Sequence, residues 1–275
     1  MLPGLDWVSQ WEAEDEHKPI LDNQVANESP EVLRVGTYNV KFAENPDVFA
    51  ERILTDPELA KVHVWLLQEI DSFPDEPLPR AEAMAQALDM NFAFAPARAK
   101  GNGFHGLAIL SKLPLENLRI MRLPQPQFSF NTRRRIAFGT DIFWNNQTIE
   151  LVNIHLDTRI NPSVRITQMD PAVRSLSDVA IIGGDTNDNG FHWTENVIPN
   201  VPADLALGDS VHVVDDYMMA MGFDTPTRFI GDTADAIVAE FRLDAIFTRA
   251  LRPSRSGVVR IEGSDHFPVW LDITP

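Results

Sequence analysis

The chain has no cysteine, and that absence excludes several classes of site at once. A disulfide framework, a thiolate zinc site and a cysteine nucleophile are all ruled out. Long apolar runs are missing too, because no stretch approaches the roughly 18 residues of a membrane-spanning helix. The N-terminus has neither the basic start nor the apolar core of a signal peptide. We therefore expect a soluble protein without a transmembrane segment, which is cytoplasmic or is exported with its leader removed.

Positive charge is scarce. The chain has 23 Lys and Arg against 40 Asp and Glu, which gives a formal net charge of −17 and a sequence pI near 4.7. Non-specific binding to nucleic acid depends on neutralisation of phosphates by basic side chains. A chain this acidic is therefore not expected to bind DNA or an anionic membrane non-specifically. It leaves room for a local basic site, and an acidic nuclease is compatible with it.

Apolar residues are plentiful, and their number bears on how many domains the chain can form. With 275 residues, 44% of them hydrophobic, the chain can build a large core as one big domain or two small ones. Residues 1–31 carry eight acids against the single Lys18, which is typical of a solvated, partly disordered segment. We expect an acidic N-terminal arm over residues 1–31 and one domain over residues 32–275.

Strand and helix patterns are mixed along that domain. Strands are predicted at 33–40, 62–71, 103–115, 133–144, 148–159, 179–182, 241–249 and 264–273. Helices are predicted from Asn45 to about Leu54, at 79–88, at 163–177 with Pro171 kinking or splitting it, and at 211–221. Residues 192–210 read as irregular. The mixture predicts a single α/β domain in which helices cover sheets.

The stretch at 178–190, DVAIIGGDTNDNG, is the clearest candidate for a site. Four apolar residues form a short buried strand, and a carboxylate and an amide, Asp185 and Asn187, follow two glycines. Such residues point into the crevice where α/β proteins bind ligands. An ordinary strand-to-loop turn explains the same residues when they are taken alone.

Other predicted strands end in the same way, with oxygen or imidazole donors beside an apolar run. These residues are Asn39, Glu69, His155, Asp244, Asp265 and His266. Carboxylates and amides without a thiol suit Mg²⁺, Mn²⁺ or Ca²⁺ better than zinc. Histidines beside several acids supply groups that titrate near neutrality. Metal-assisted attack of water on a phosphate ester needs this mixture, although each residue alone is explained equally well as solvated or as part of the core.

Seven short motifs taken together carry a resemblance to a known family. They are TYN at 37–39, LLQE at 66–69, GLAILSK at 106–112, VNIHLD at 152–157, GGDTN at 183–187, RLDAIF at 242–247 and SDHFPV at 264–269. In this order they resemble the endonuclease/exonuclease/phosphatase superfamily, which includes DNase I, abasic-site endonucleases, inositol-polyphosphate 5-phosphatases and neutral sphingomyelinases. The GD-x-N and SDH motifs carry most of the signal, whereas any single motif is weak.

The resemblance implies a fold and a reaction. The fold is a DNase I-like, four-layer α/β sandwich, in which two packed mixed β-sheets are flanked by helices and the site lies at one end of the sheets. The reaction is divalent-metal-dependent hydrolysis of a phosphodiester or phosphomonoester by in-line attack of an activated water. The implied cofactor is Mg²⁺, with Mn²⁺ or Ca²⁺ as alternatives.

The family's metal site maps onto three positions of this chain. Glu69 matches the principal metal-binding glutamate, Asn39 lies beside it, and Asp265 matches a metal-side carboxylate. The chain departs from some abasic-site endonucleases, which carry a second acid where Lys41 stands here. A second metal is therefore not expected at that position, and Lys41 is a candidate phosphate-binding residue instead.

The family's catalytic residues map onto five further positions. Asp185 and Asn187 match the pair that positions the nucleophilic water and the phosphate. His266 matches the histidine that contacts phosphate or acts as a base, and Asp244 matches the acid that orients it. His155 matches the proposed general acid of the DNase I-like and sphingomyelinase-like branches, which makes the abasic-site branch a poorer fit.

Three substrate hypotheses stay open at this point. The first is a phosphoesterase acting on a small molecule or a lipid head group, and the second is a DNA or RNA nuclease of the same family. The third is a catalytically silent binding module, which the intact set of site residues argues against. Basic residues that can grip phosphate are few, with Arg135 of the 133–135 triplet and Arg159 as candidates beside Lys41. Protein partners are not predicted.

Overall fold

Two large mixed β-sheets organise the part of the chain that this computed structural model describes, which is residues 18–24, 29–126, 133–189, 192–194, 198–200, 212–236 and 239–275. In chain order the strands are β1 (Ile20–Asp22), β2 (Leu33–Phe42), β3 (Val64–Ser72), β4 (Asn91–Lys100), β5 (Gly103–Ser111), β6 (Glu116–Arg122), β7 (Ile136–Trp144), β8 (Gln147–His155), β9 (Ala180–Asp185), β10 (His192–Thr194), β11 (Ile198–Asn200), β12 (Ala234–Ala236), β13 (Ala239–Phe241), β14 (Asp244–Arg249), β15 (Arg252–Val258) and β16 (Val269–Thr274). The helices are α1 (Pro46–Thr55), α2 (Arg80–Leu88), α3 (Pro162–Ser175) and α4 (Val213–Ala220), with a 3₁₀ turn at Leu59–Lys61.

The sheets are stacked face to face. One has seven strands in the order β1-β4-β5-β3-β2-β16-β15, and the other has five in the order β14-β9-β8-β7-β6. Side chains alternate across each strand, so Leu66 of β3 lies between the sheets while Trp65 and Leu67 pack under α1 and α2. Helices α3 and α4 cover the outer face of the smaller sheet. The result is the four-layer α/β sandwich that the sequence predicts.

Several local predictions differ from the structure. Pro171 lies inside α3 without splitting it, because Met169, Ala172 and Val173 pack against the sheet and offset the single backbone hydrogen bond that proline removes. Residues 20–22, assigned to the solvated arm, form an edge strand paired with β4. The rest of the arm, residues 1–17 and 25–28, lies outside the described residues.

The last predicted strand is shorter than expected. It begins at Val269, so Asp265 and His266 lie in the preceding loop, where Ala234 and His266 form an isolated bridge. Residues 192–194 pair with 198–200 as a short hairpin, although the sequence reads as irregular there. Among the described helices, none is both long and apolar enough to cross a membrane.

A buried polar network joins the two sheets directly beneath the strand ends. Gln68 Nε2 donates to Asn153 Oδ1 at 2.7 Å and to Thr37 Oγ1 at 3.0 Å. Asn153 Nδ2 donates to the backbone carbonyls of Leu67 and Ala108 at 2.8 and 2.9 Å. Thr37, Gln68 and Asn153 are fully buried and lie one or two residues before Asn39, Glu69 and His155. The network therefore fixes the positions of the strand segments that carry these three candidate site residues.

Replacing Asn153 with alanine is expected to lower the free energy of unfolding by about 2–4 kcal/mol, because three buried hydrogen bonds are lost, one from Gln68 and two to the carbonyls of Leu67 and Ala108. Urea denaturation measures the change. The matched control is Asn102→Ala at an exposed turn, where a change within about 0.5 kcal/mol is expected. Equal effects in both variants would contradict a structural role for the network.

Candidate active site

Polar residues from two strands, β2 and β8, and from the loop before β16 converge on the carboxylate of Asp185. Asn39 Nδ2 donates a hydrogen bond of 3.0 Å to Asp185 Oδ2. The Nε2 atoms of His155 and His266 lie 3.3 and 3.8 Å from the same oxygen. All four residues are buried. Side chains that are far apart in the sequence thus meet around one oxygen atom.

Strand register explains this convergence. His155 is the parallel partner of Asp185 across β8 and β9, and Asp244 is its antiparallel partner across β14 and β9. Directly paired residues have side chains on the same face, so Asp185 lies between an imidazole and a second carboxylate. Gly184 permits the close pairing, because a Cβ at this position would lie 1.9 Å from the carbonyl oxygen of Ile154. The glycine is therefore required for the packing of β9 against β8.

Asn187 is held on the turn that follows Asp185. Its backbone N–H donates to Asp185 Oδ1 at 2.9 Å, and its Nδ2 donates to the carbonyl of Leu156 at 3.0 Å. The backbone is left-handed here with φ of 49°, a conformation that asparagine tolerates better than most residues. The amide is thereby fixed next to the carboxylate, as the GD-x-N pattern predicts.

Asp244 orients His266. His266 Nδ1 lies 2.8 Å from Asp244 Oδ2, which also accepts a hydrogen bond of 2.7 Å from Thr233 Oγ1. Because an ionised carboxylate only accepts, Nδ1 carries the proton and Nε2 faces Asp185. Thr233 also accepts hydrogen bonds from the backbone N–H groups of Leu243 and Asp244. No sequence pattern marks Thr233, so its contact with Asp244 could not be predicted.

The two histidines are pushed toward opposite charge states. Burial, reinforced by the Arg135 charge, lowers the pKa of His155 well below its ordinary value. Burial also opposes charge on His266, but the Asp244 and Asp185 carboxylates outweigh it and raise the pKa of His266. Burial raises the pKa of Asp185, against the His266 charge and together with the Asp244 charge. Groups whose pKa values are separated in this way are the pattern of an acid–base site.

Glu69 reaches the site through a β-bulge. The register of β3 shifts against both of its neighbours at this point, and Glu69 has φ of 54°. Its Oε1 lies 3.9 Å from His155 Nε2, and its side chain is 18% exposed, so the carboxylate opens to the cleft. A left-handed backbone at a non-glycine residue costs on the order of 1 kcal/mol, and such strain is retained where function requires it.

Glu69→Gly is expected to preserve or raise the free energy of unfolding, because glycine adopts this backbone without strain. The matched control is Glu116→Gly, since Glu116 is an exposed strand residue with ordinary φ, and there we expect a loss of about 1 kcal/mol. Thermal or urea unfolding of both variants measures the difference. A larger loss at Glu69 than at Glu116 would show that the bulge is not strained.

The donor chemistry of the site fits a hard divalent cation. One ligand atom each from Asp185, Asp244 and His266 lies within 4.8 Å of the others, and Asp244 Oδ1 is buried without a hydrogen-bond partner. This group does not include the predicted metal ligands Asn39, Glu69 and Asp265, and His266 could join it only as a neutral imidazole. Glu69 adds a further carboxylate, because its Oε1 lies 3.9 Å from the same His155 Nε2 atom that is 3.3 Å from Asp185 Oδ2. Oxygen donors of this kind suit Mg²⁺, Mn²⁺ or Ca²⁺.

Asp265, which is predicted to bind the metal together with Asn39 and Glu69, lies at the mouth of the site. Its Oδ2 lies 3.1 Å from Lys41 Nζ, and both side chains are about half exposed, at 46% and 50%. The loop is tied to the site because Ser264 Oγ donates to the carbonyl of Asn39 at 2.7 Å. Metal binding by Asn39, Glu69 and Asp265 stays a prediction.

The three predicted phosphate-binding residues have different surroundings. Arg135 is buried beside His155, and its Nε has no hydrogen-bond partner. Lys41 is exposed at the rim and paired with Asp265. Arg159 is half-buried on the turn after β8, where its backbone N–H donates to Asp157 Oδ1 at 3.2 Å. Arg135 is thus the candidate nearest to the converging side chains.

Comparison with known proteins bears on the family and the fold of this chain. A model of the Endonuclease/Exonuclease/phosphatase family matches residues 36–266. No curated protein sequence matches the chain. The endonuclease/exonuclease/phosphatase from Beutenbergia cavernae DSM 12333 is similar in structure, with a TM-score of 0.68 and 14% identity over 89% of this chain and 72% of that chain.

Two further solved structures share the fold. D. rerio TDP2 complexed with single strand DNA product has a TM-score of 0.62 and 14% identity, covering 90% of this chain and 100% of that chain. The endonuclease domain of TRAS1, a telomere-specific non-LTR retrotransposon, has a TM-score of 0.56 and 16% identity, covering 88% and 98% respectively. Since the family model spans most of the described domain and the fold agrees, the chain belongs to the Endonuclease/Exonuclease/phosphatase family, whose members are hydrolases acting on phosphoester bonds.

Proposed function

We propose that this protein is a divalent-metal-dependent phosphoesterase, which hydrolyses a phosphodiester or a phosphomonoester by in-line attack of a water activated at Asp185. The observation that carries the proposal is the meeting of His155, His266 and Asn39 around one oxygen of that carboxylate. A buried carboxylate with a raised pKa is a stronger base than an exposed one, which suits it to take a proton from water.

The metal that we propose is Mg²⁺, with Mn²⁺ or Ca²⁺ as alternatives. Glu69 and Asn39 would hold it, with Asp265 reaching in from the rim. When bound, such an ion polarises phosphoryl oxygens and neutralises the charge that develops on them.

The remaining site residues bind the phosphate, orient the water and protonate the leaving group. His266 remains an imidazolium between two carboxylates, so it can donate from Nε2 to a phosphoryl oxygen but cannot act as the base. Asn187 orients the water and the phosphate from its fixed turn. His155 is the proposed general acid for the leaving group. Burial keeps it neutral in the free protein, and the negative charge of a bound phosphate ester favours its protonation.

Nuclease activity is the second candidate function. It is favoured by the structural likeness to TDP2 bound to single strand DNA product and to the TRAS1 endonuclease domain, both of which share only the fold with this chain. Arg135, which is buried beside His155 with an unpartnered Nε, is compatible with an anionic substrate such as nucleic acid.

The test compares four substrates side by side with Mg²⁺ and then with EDTA. They are bis(4-nitrophenyl) phosphate, plasmid DNA, an inositol phosphate and sphingomyelin. We expect Mg²⁺-dependent turnover of at least one, lost in EDTA and restored by added Mg²⁺. Turnover that is unchanged in EDTA would contradict the metal-dependent mechanism, and no turnover of any of the four would contradict the proposed function.

A further inference from the structure

A second buried histidine–aspartate pair lies next to the site, and the proposed function does not use it. His105 Nδ1 lies 2.8 Å from Asp71 Oδ1, which is also the separation within the His266–Asp244 pair. Lys100 Nζ lies 2.5 Å from the other oxygen of Asp71 and matches its charge. Both members of the pair are buried, with 4% and 1% of their surfaces exposed. The carboxylate therefore fixes the orientation of the His105 ring.

Asp71 also determines which nitrogen of His105 carries the proton. An ionised carboxylate only accepts hydrogen bonds, so the proton lies on Nδ1. Burial lowers the pKa of His105, against the hydrogen bond with Asp71, and keeps the ring neutral. Nε2 is therefore an acceptor, and no described residue donates a hydrogen bond to it. Because a buried acceptor without a donor costs free energy, Nε2 needs a partner that the described part of the chain does not supply.

His105 shares a small cavity with His155 and Arg135. Its side chain is on the face of β5 that carries Leu107 and Ile109, both of which pack between the two sheets. The two histidines and the arginine line a cavity of about 10 Å³. That volume holds about one water molecule and no larger ligand. The size and the polar lining together favour a single bound water.

Arg135 supplies the donor that such a water needs. Its Nε is buried without a hydrogen-bond partner. Burial lowers the pKa of Arg135, and the charges of three nearby carboxylates oppose that shift without accepting a hydrogen bond from Nε. These carboxylates belong to Asp157, Glu69 and Asp185. A buried N–H group of this kind costs free energy unless it finds an acceptor, and the oxygen of a water in the cavity is such an acceptor.

The protons of the same water have two acceptors, which are imidazole nitrogens. His155 Nε2 faces Asp185 Oδ2 at 3.3 Å, so Nδ1 is the nitrogen that remains for the cavity. A water that accepts from Arg135 Nε has two protons to donate, one to His155 Nδ1 and the other to His105 Nε2. Buried waters typically make about three hydrogen bonds, and this arrangement provides that number.

We propose that one water molecule occupies this cavity and that Asp71 and His105 position His155 through it. The water donates to Nδ1 of His155 and so keeps the proton of the neutral ring on Nε2, which faces Asp185. The inference rests on the proposed function, in which His155 is the general acid, and it adds two positioning residues. Asp71 and His105 thereby affect the leaving group only through His155.

Nuclear magnetic resonance of the full chain, labelled with ¹⁵N-histidine and kept in Mg²⁺ buffer, tests the arrangement, because the ¹⁵N shifts report which ring nitrogen carries a proton. In the wild type we expect the proton of His105 on Nδ1 and that of His155 on Nε2. In His105→Asn the amide still donates to Asp71, but the acceptor at Nε2 is gone, so His155 should exchange between both tautomers. A proton on Nδ1 of wild-type His155, or the wild-type pattern in the variant, would overturn the inference.

Hydrolysis of two diesters that differ in their leaving groups separates positioning from general damage. 4-Nitrophenol leaves bis(4-nitrophenyl) phosphate readily without protonation, whereas departure of phenol from diphenyl phosphate gains from a general acid. We expect His105→Asn to lower kcat for diphenyl phosphate at least about tenfold more than kcat for the nitrophenyl diester, because only the former depends strongly on His155. A merely structural role predicts equal losses.

The matched control is His63→Asn. His63 is partly buried just before β3, where its Nδ1 accepts from the backbone N–H of Arg34 at 3.0 Å. Its replacement should change kcat for both diesters alike. Equal losses for the two diesters in His105→Asn would overturn the inference. The expected tautomers in a protein that hydrolyses neither diester would sustain the water site and contradict the proposed chemistry.

Discussion

Asp185→Asn is expected to lower kcat/KM for bis(4-nitrophenyl) phosphate by about 10³-fold or more. Asparagine has the same shape and its oxygen still accepts from Asn39, but the group that takes the proton is gone and the Asn187 N–H loses its acceptor. The free energy of unfolding is expected to change by about 1 kcal/mol or less, because removal of one of two adjacent buried carboxylates offsets that lost hydrogen bond. Hydrolysis kinetics and urea unfolding of the same preparation measure both effects.

Asp272→Asn is the matched control, for which we expect a loss of stability and unchanged turnover. Asp272 is also a buried strand aspartate, but it pairs with Arg34 at 2.6 and 2.7 Å at a place remote from the site. Breaking that pair is expected to cost about 3 kcal/mol of stability and to leave turnover unchanged. Near-wild-type hydrolysis by Asp185→Asn would refute its role as the base.

Asp244→Asn is expected to lower kcat/KM by about 10³-fold or more, because an asparagine amide no longer requires the proton on Nδ1 of His266. Loss of the carboxylate also lowers the pKa of His266, since Asp244 is the strongest of the charges that raise it. Activity that depends on the imidazolium should therefore disappear at a lower pH in the variant, as pH rises through the reduced pKa. A pH profile of kcat/KM compared with the wild type reveals that shift.

The partner variant is His266→Gln, alone and combined with Asp244→Asn. If Asp244 acts only through His266, the double variant should be no worse than His266→Gln alone. Multiplied losses in the double variant would show that Asp244 has a separate role, such as binding the metal through its unpartnered Oδ1.

Part of the convergence could be predicted from the sequence, because His155, Asp185 and Asp244 lie at strand ends, whereas Asn39 and Glu69 lie inside β2 and β3 and His266 lies in the loop before β16. Asp185 and His155 end the parallel neighbours β9 and β8, so register alone brings them together. The order of the motifs predicts the family and its fold; the family model confirms the family, and the similar solved structures confirm the fold.

Other features could not be predicted for physical reasons. The bulge at Glu69 depends on pairing with two neighbouring strands at once, and Thr233 reaches Asp244 from a loop without any periodic pattern. Strands β4, β6 and β15 were missed because their composition mixes charged and small residues, and the sheet stabilises them through pairing rather than through propensity.

The most direct measurement is Mn²⁺ binding, followed by electron paramagnetic resonance, in EDTA-treated wild-type protein and in Glu69→Gln. We expect the wild type to bind Mn²⁺ and to regain hydrolysis when Mg²⁺ or Mn²⁺ is added back. Glu69→Gln should bind Mn²⁺ at least about tenfold more weakly and should stay inactive at the same metal concentration. Equal Mn²⁺ affinity in the two proteins, or full turnover by the metal-free wild type, would contradict a cation site at Glu69.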